Sequence, residues 1–156
     1  MDHITLRAAG LHDAAALTDI AFRAKASWGY DAAFMAACRE ELTVTANMLA
    51  AWRCWVAELD GRPVGMIALD AEADEAHLEF LFVDPDFQGR GVGKALMAAF
   101  TATCRDLGFT IVRVDADPNA EPMYARMGFR TIGRTPSGSI PGRTLPYMEL
   151  ILTSPA

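Results

Sequence analysis

Residues 77–94 read HLEFLFVDPDFQGRGVGK and join an apolar run to a glycine-rich turn. The run Ala76–Val83 is typical of a strand, and Asp84-Pro85 ends it because proline cannot donate to a sheet ladder. Residues 91–107 carry apolar side chains at three- and four-residue spacing, which predicts a long helix that ends at Gly108. The sequence therefore predicts a strand, a glycine loop and a helix in direct succession.

The glycine loop has the composition of a phosphate-binding turn, with three glycines in five residues. Glycine allows positive φ and lets a ligand come close to the backbone. The first amides of the following helix have no partner inside the helix, and together with the helix dipole they favour an anion. Arg90 and Lys94 add positive charge, although such residues at a helix start are more often solvated than bound to a ligand.

Two common nucleotide motifs do not fit this loop. A Walker loop requires glycine at the position that Gln88 occupies and Ser or Thr at the position that Ala95 occupies. A G-x-G-x-x-G dinucleotide motif, started at Gly89 or at Gly91, lacks its third glycine. On glycine content alone, a turn with a purely structural role remains the alternative.

The rest of the chain alternates short strands and helices. Asp60-Gly61 followed by Pro63 predicts a hairpin turn. Further strands are predicted at residues 3–7, 52–59, 64–69, 110–115, 129–133 and 145–150, further helices at 13–24, 31–39 and 120–127, and an extra turn at 45–51. No repeat or linker divides the 156 residues, which predicts one domain, 1–156, of the α+β or mixed α/β layered class.

Composition and charge narrow the class of protein. A net charge of −6 argues against bulk nucleic-acid binding, which needs a basic face. Apolar runs such as residues 95–100 are too short for a bilayer, and residues 1–4 do not resemble a secretory signal, so we expect a cytoplasmic protein. Cys38, Cys54 and Cys104 are scattered, which favours buried thiols over disulfides or a metal site.

Segments before and after the glycine loop complete a wider pattern. Gln88-x-x-Gly91-x-Gly93 matches the Q/R-x-x-G-x-G/A pyrophosphate loop of the GNAT superfamily of acyl-CoA N-acyltransferases. Residues 78–85 resemble the fourth strand of that superfamily. Asn119 with residues 124–129 resembles its N…Y-x-x-x-G-F segment. Only four residues separate Asn119 from Tyr124, fewer than in many relatives. The resemblance implies a central mixed sheet of about six to seven strands with helices on both faces.

The resemblance also implies acetyl-CoA as the acyl donor and no metal. The backbone of residues 81–83 is expected to hold the pantetheine arm like an added strand, the amides of residues 88–94 to bind the pyrophosphate, and Asn119 to contact the pantetheine region. The cofactor-binding candidates are Leu81, Phe82, Val83, Gln88, Gly89, Arg90, Gly91, Val92, Gly93, Lys94 and Asn119.

Acyl transfer to an amine requires two proton transfers, one from the ammonium and one to the departing thiolate. The resemblance places a general acid at Tyr124, with simple aromatic packing as the alternative. His77 and Glu79 are two residues apart on the predicted strand, so their side chains share one face. Histidine titrates near neutrality, yet Glu79 is the favoured base. The alternatives are that His77 or a water chain is the base, or that both side chains are ordinary surface residues.

Three further residues are candidates for acceptor binding. Trp28 and Tyr30 flank a glycine in a loop that can present aromatic rings to a ligand or close the end of the sheet. Arg143 is expected to pair with an acidic group of the substrate or with a nearby carboxylate. The acceptor itself, a small-molecule or protein amine, is not identified by the sequence.

The resulting hypothesis is an N-acetyltransferase that moves the acetyl group of acetyl-CoA to a primary amine by direct attack in a ternary complex. A non-catalytic acyl-CoA sensor or partner subunit is the alternative, and a purely structural domain is a third. Dimers are common among the proteins it resembles, so a homodimer is possible; neither nucleic acid nor membrane is expected as a partner.

Overall fold

A computed structural model describes residues 3–71 and 74–152; residues 1–2, 72–73 and 153–156 of the predicted 1–156 domain lie outside the described residues. No described helix is long and apolar enough to cross a membrane. The strands are β1 Ile4–Ala8, β2 Arg53–Leu59, β3 Arg62–Asp70, β4 Ala76–Val83, β5 Ile111–Asp115, β6 Arg130–Pro136 and β7 Thr144–Ile151. The α-helices are α1 Ala14–Ala26, α2 Ala32–Ala37, α3 Arg39–Leu42, α4 Ala46–Ala51, α5 Val92–Asp106 and α6 Glu121–Arg126.

The seven described strands form one mixed sheet in the order β1-β2-β3-β4-β5-β7-β6. All neighbours are antiparallel except β4 and β5, which run parallel. Met66 packs with Leu17 of α1 on one face of the sheet, whereas the next residue, Ile67, packs with Phe100 of α5 on the other. The predicted mixed sheet with helices on both faces is confirmed, and so is the burial of the three cysteines.

Local turn chemistry follows the sequence closely, with one difference in the helices. Asp60 and Gly61 both have positive φ, 52° and 76°, as a two-residue hairpin turn with the right-handed twist of its strands requires. The helix expected at residues 31–39 begins as predicted, because Asp31 caps it by accepting from the Phe34 amide. It divides at Cys38, whose ψ of −4° ends α2 and starts α3.

The two parallel strands β4 and β5 pair for only a short distance. Ala76 lies opposite Val112, and His77 lies opposite Arg113, after which no further pairs form between these strands. The remaining six residues of β4 therefore have one edge that is not paired with β5. This separation opens a notch in the middle of the sheet.

A β-bulge accompanies this separation. On the β3 side, Leu78 pairs with Leu69 but Phe80 pairs with Ala68, so that Glu79 is the extra residue. Because of the extra residue, Leu78 and Leu81 both face the α5 side of the sheet although they are three positions apart. The bulge thus changes which side chains of β4 face each helix layer.

The end of β4 is held by a buried carboxylate. Asp84 is fully buried, and its amide donates to the Val64 carbonyl at 2.8 Å. Arg23 of α1 donates to the two carboxylate oxygens of Asp84 at 3.0 and 2.8 Å, which lowers the pKa of that carboxyl. Asp84 Oδ1 also accepts from the Asp86 amide. These bonds connect α1 to the point at which the chain leaves the sheet for the glycine loop.

Candidate active site

A cavity of about 850 Å³ lies between the free edge of β4, the glycine loop and α6. Ten of the predicted cofactor residues line it: Leu81, Phe82, Val83, Gln88, Gly89, Gly91, Val92, Gly93, Lys94 and Asn119. Arg90 does not line it; its guanidinium lies 5.2 Å from the ring centre of Phe87. The structure therefore brings the two predicted cofactor segments, strand and loop, to one cavity.

The loop conformation depends on glycine at two positions. Gly89 and Gly91 have φ of 79° and 84°, which residues with a side chain rarely adopt. Gly91 is the N-cap of α5 and supplies no side-chain cap, and the first helical bond runs from the Ala95 amide to the Gly91 carbonyl. The amides of residues 92–94 precede that bond, so they are available to an anion in the cavity.

A second cavity, of about 460 Å³, lies on the other side of the notch. Its lining shares Trp28, Leu81, Phe82 and Ala120 with the first. The two cavities therefore meet where β4 and β5 separate. A molecule in one cavity can present its reactive end to a molecule in the other.

His77 and Glu79 both line the second cavity, as their spacing predicted. His77 Nε2 lies 3.4 Å from Asp115 Oδ2, and Nδ1 lies 3.1 Å from Glu79 Oε1, near enough for an ion pair but not aligned for a hydrogen bond. Asp115 and then Glu79 raise the pKa of His77 to about 9, against the effect of burial. We therefore expect the imidazole to be protonated at neutral pH, which favours Glu79 as the base.

Tyr124 also lines the second cavity. The residue is only 4% exposed, and its ring packs edge-on against Phe129 with centres 5.3 Å apart. Burial and the negative charge of Asp117 raise the pKa of the phenol. Tyr124 is therefore held as a neutral hydrogen-bond donor over the whole physiological pH range.

Asp117 organises a cluster beside the notch. Tyr30 donates its hydroxyl hydrogen to Asp117, 2.9 Å away, and accepts from Arg143 Nη2 at 2.6 Å and Asn119 Nδ2 at 2.8 Å. Arg143 and Lys25 lie 3.2 and 3.3 Å from Asp117 Oδ2. Arg143 thus pairs with a carboxylate of the protein, and Tyr30, which lines neither cavity, orients this cluster.

Sequence reasoning missed three of these groups, namely Lys25, Asp115 and Asp117. The two aspartates form a D-x-D pattern at the end of β5, directly beside the predicted catalytic strand. That pattern was the available signal, since the parallel register of the two strands brings the end of β5 beside His77. Lys25 lies within α1 and nothing in its local sequence distinguishes it.

The acetyltransferase (GNAT) domain matches residues 18–145, most of the chain. The chain belongs to the GNAT acetyltransferase family. It is 35% identical over 98 residues to the peptidyl-lysine N-acetyltransferase YjaB of Salmonella typhimurium, covering 62% of this chain and 63% of that protein. The chain spans less than two thirds of the length of the curated relatives it matches.

Solved structures show the same fold. A GCN5-related N-acetyltransferase from Rhodopseudomonas palustris superposes with a TM-score of 0.84 at 28% identity, covering 97% of this chain and 98% of that one. An N-acetyltransferase, PaiA, from Thermoplasma acidophilum in complex with coenzyme A superposes with a TM-score of 0.81 at 18% identity, covering 96% and 99%. At that identity the second likeness concerns the fold alone.

Replacing His77 with Gln is expected to reduce the pH dependence of the unfolding free energy between about 6.5 and 9. The raised pKa stabilises the folded protein fully below about pH 6.5, and this contribution is lost as the pH rises through about 9. Urea unfolding across this range measures the difference between wild type and variant. The exposed His3 is the control, and His3→Gln should keep the wild-type dependence of the unfolding free energy on pH. The same dependence in His77→Gln would contradict the raised pKa of His77.

Proposed function

We propose that the protein transfers the acetyl group of acetyl-CoA to a primary amine by direct attack in a ternary complex. The observation that carries this proposal is the meeting of the two cavities at Leu81 and Ala120, in the notch between β4 and β5. One cavity ends at an anion-binding loop, and the other contains Glu79 and Tyr124. This arrangement suits a donor and an acceptor that approach from opposite sides.

The first cavity fits acetyl-CoA. The amides of residues 92–94 and the positive φ of Gly89 and Gly91 suit a pyrophosphate, which carries charge and needs several donors. The free edge of β4 offers backbone groups to the two amides of a pantetheine arm, in the manner of an added strand. Free, buried cysteines agree with a reducing compartment such as the cytoplasm.

In the reaction, the amine nitrogen attacks the thioester carbonyl carbon, a C–N bond forms, and the C–S bond breaks. Glu79 accepts the proton that the acceptor ammonium must lose, directly or through water. Tyr124 donates a proton to the departing sulfur, and the second proton that the nitrogen loses as it becomes an amide restores the phenol. His77 lies between Asp115 and Glu79, whose carboxylates raise the pKa of its imidazole, so that in this proposal it acts as a charged neighbour of the base.

The acceptor belongs to one of two classes, a small molecule or the lysine of a protein. The Salmonella relative is named for peptidyl-lysine acetylation. The second cavity, of about 460 Å³, has room for a free small molecule as well as for a single side chain.

Gly91→Asp is expected to weaken coenzyme A binding by about tenfold or more, because a carboxylate at the N-cap repels the pyrophosphate. Calorimetric titration measures the dissociation constant. Gly108→Asp is the matched control: it adds the same charge at a similar φ, 86° against 84°, with open space around either Cβ. Equal binding by both variants would exclude the loop as the pyrophosphate site.

Tyr124→Phe is expected to lower kcat by roughly a hundredfold while the dissociation constant of acetyl-CoA stays the same, since only the proton donor is removed. Thiol release with a reactive amine measures the rate. Tyr147→Phe, at a residue that lines neither cavity, removes a hydroxyl that accepts from Arg113 and should leave kcat nearly unchanged. A wild type that binds acetyl-CoA but acetylates no amine would favour the sensor.

Glu79→Gln is expected to lower kcat/KM by roughly a hundredfold at neutral pH, and the loss should shrink as the pH approaches the pKa of the acceptor amine. At high pH the amine loses its proton to solvent, so a base is no longer required. A pH–rate profile measures both effects, with the exposed Glu40→Gln as the control. A loss that is equal at all pH values would assign Glu79 a role in binding.

A further inference from the structure

The acceptor cavity contains two cations that share one carboxylate. Lys25 and Arg143 line the cavity with side chains that are 11% and 17% exposed, and both lie against Asp117, which is 9% exposed. The three groups together carry one excess positive charge. The rings of Tyr30 and Phe34, whose centres lie 4.9 to 5.8 Å from the two cations, offset part of this charge. A bound anion would offset the rest and would therefore be stabilised there.

Both cations also have hydrogen-bond donors to spare. Within the described part of the chain, Lys25 Nζ forms an ion pair with Asp117 but donates no hydrogen bond. Arg143 uses Nη2 toward Tyr30 and Asp117, and its Nη1 and Nε donate no bond to the described residues. A guanidinium and an ammonium at one cavity wall are the groups that bind a carboxylate.

The charge balance is reversed at the other wall of the same cavity. There the two carboxylates of Glu79 and Asp115 surround one imidazolium, His77. This wall therefore favours a bound cation. A further carboxylate, Glu41, lies at the rim, where it is exposed and accepts from Ser139, so that solvent screens it.

The two walls are close enough for one small molecule. Asp115 and Asp117 are two residues apart, which is about 7 Å of extended backbone. The same cavity is also lined by Trp52 and Phe80, with ring centres 5.9 Å apart, and by Met48. Such a lining stabilises an apolar body.

We propose that the acceptor is a free amino acid with an apolar or aromatic side chain. Its carboxylate binds Lys25 and Arg143, its amine lies at Glu79, and its side chain packs against Trp52 and Phe80. This inference rests on the proposed function, because it names the acceptor of the same acetyl transfer.

The test compares amino acids with their carboxamides, which keep the amine and side chain but lose the negative charge. Phenylalanine and leucine are each paired with their amide, and kcat/KM is measured by thiol release with saturating acetyl-CoA. We expect the acid to exceed the amide by about tenfold or more. The amide has the less basic amine and is the better nucleophile at neutral pH, so this intrinsic bias opposes the expected result.

Arg143→Gln and Lys25→Met are each expected to remove this preference by raising KM for the acid while KM for the amide is unchanged. The two residues lie in different elements, so one variant still tests the proposal if the other fails to fold. Unchanged acetyl-CoA binding shows that a variant is folded. Arg134→Gln is the matched control, because Arg134 is exposed on the same hairpin, bonds Thr144 and lies outside the cavity. It should keep the wild-type preference.

Three results overturn the inference. Equal rates for acid and amide in the wild type exclude a carboxylate site, and faster transfer to a lysine-containing peptide than to any amino acid assigns the cavity to protein amines. A preference that survives both substitutions places the carboxylate elsewhere. In these cases the acetyltransferase function stands, whereas a protein that binds acetyl-CoA but acetylates no amine of either kind contradicts the proposed function as well.

Discussion

The separation of β4 and β5 after two residue pairs is the constraint on which the rest of the site depends. Backbone groups in a sheet are normally paired, and leaving them unpaired costs free energy unless a ligand or water supplies partners. A bulge at Glu79 accompanies this opening, and the ion pair between the buried Asp84 and the partly exposed Arg23 fixes the end of β4 against α1. Both cavities border the opening, so the strand separation is what brings them into contact.

The charged residues around the opening form two groups of opposite net charge. His77 between Asp115 and Glu79 stays protonated to about pH 9, whereas Asp117 stays ionised between Lys25 and Arg143. Each group is stable because its members share partners at short range, which reduces the cost of placing charge away from water. Glu79, Lys25 and Arg143 all line the second cavity, so that both groups border the same space.

Much of the fold could be predicted from local sequence. The Asp60-Gly61 turn, the Asp31 cap and the proline after Asp84 each act through their own backbone preferences, and the structure has all three where the sequence indicated them. The bulge at Glu79 could not be predicted, because it is a property of the β3–β4 register and leaves no mark in the pattern of β4 alone. The split of the second helix at Cys38 was missed for a similar reason, since it depends on how short helices pack over the sheet.

The sequence by itself determined the family, the anion-binding loop with its two positive-φ glycines, and the placing of His77 and Glu79 on one face. Those features are local, because they depend on glycine, on proline and on the two-residue period of a strand. The tertiary structure alone decided that Asp115 and Glu79 raise the pKa of His77, that Arg143 pairs with Asp117, and that Tyr30, outside both cavities, bonds to this pair. These outcomes depend on groups far apart in the chain, whose charge, burial and distance become defined only when the sheet and its helices pack together.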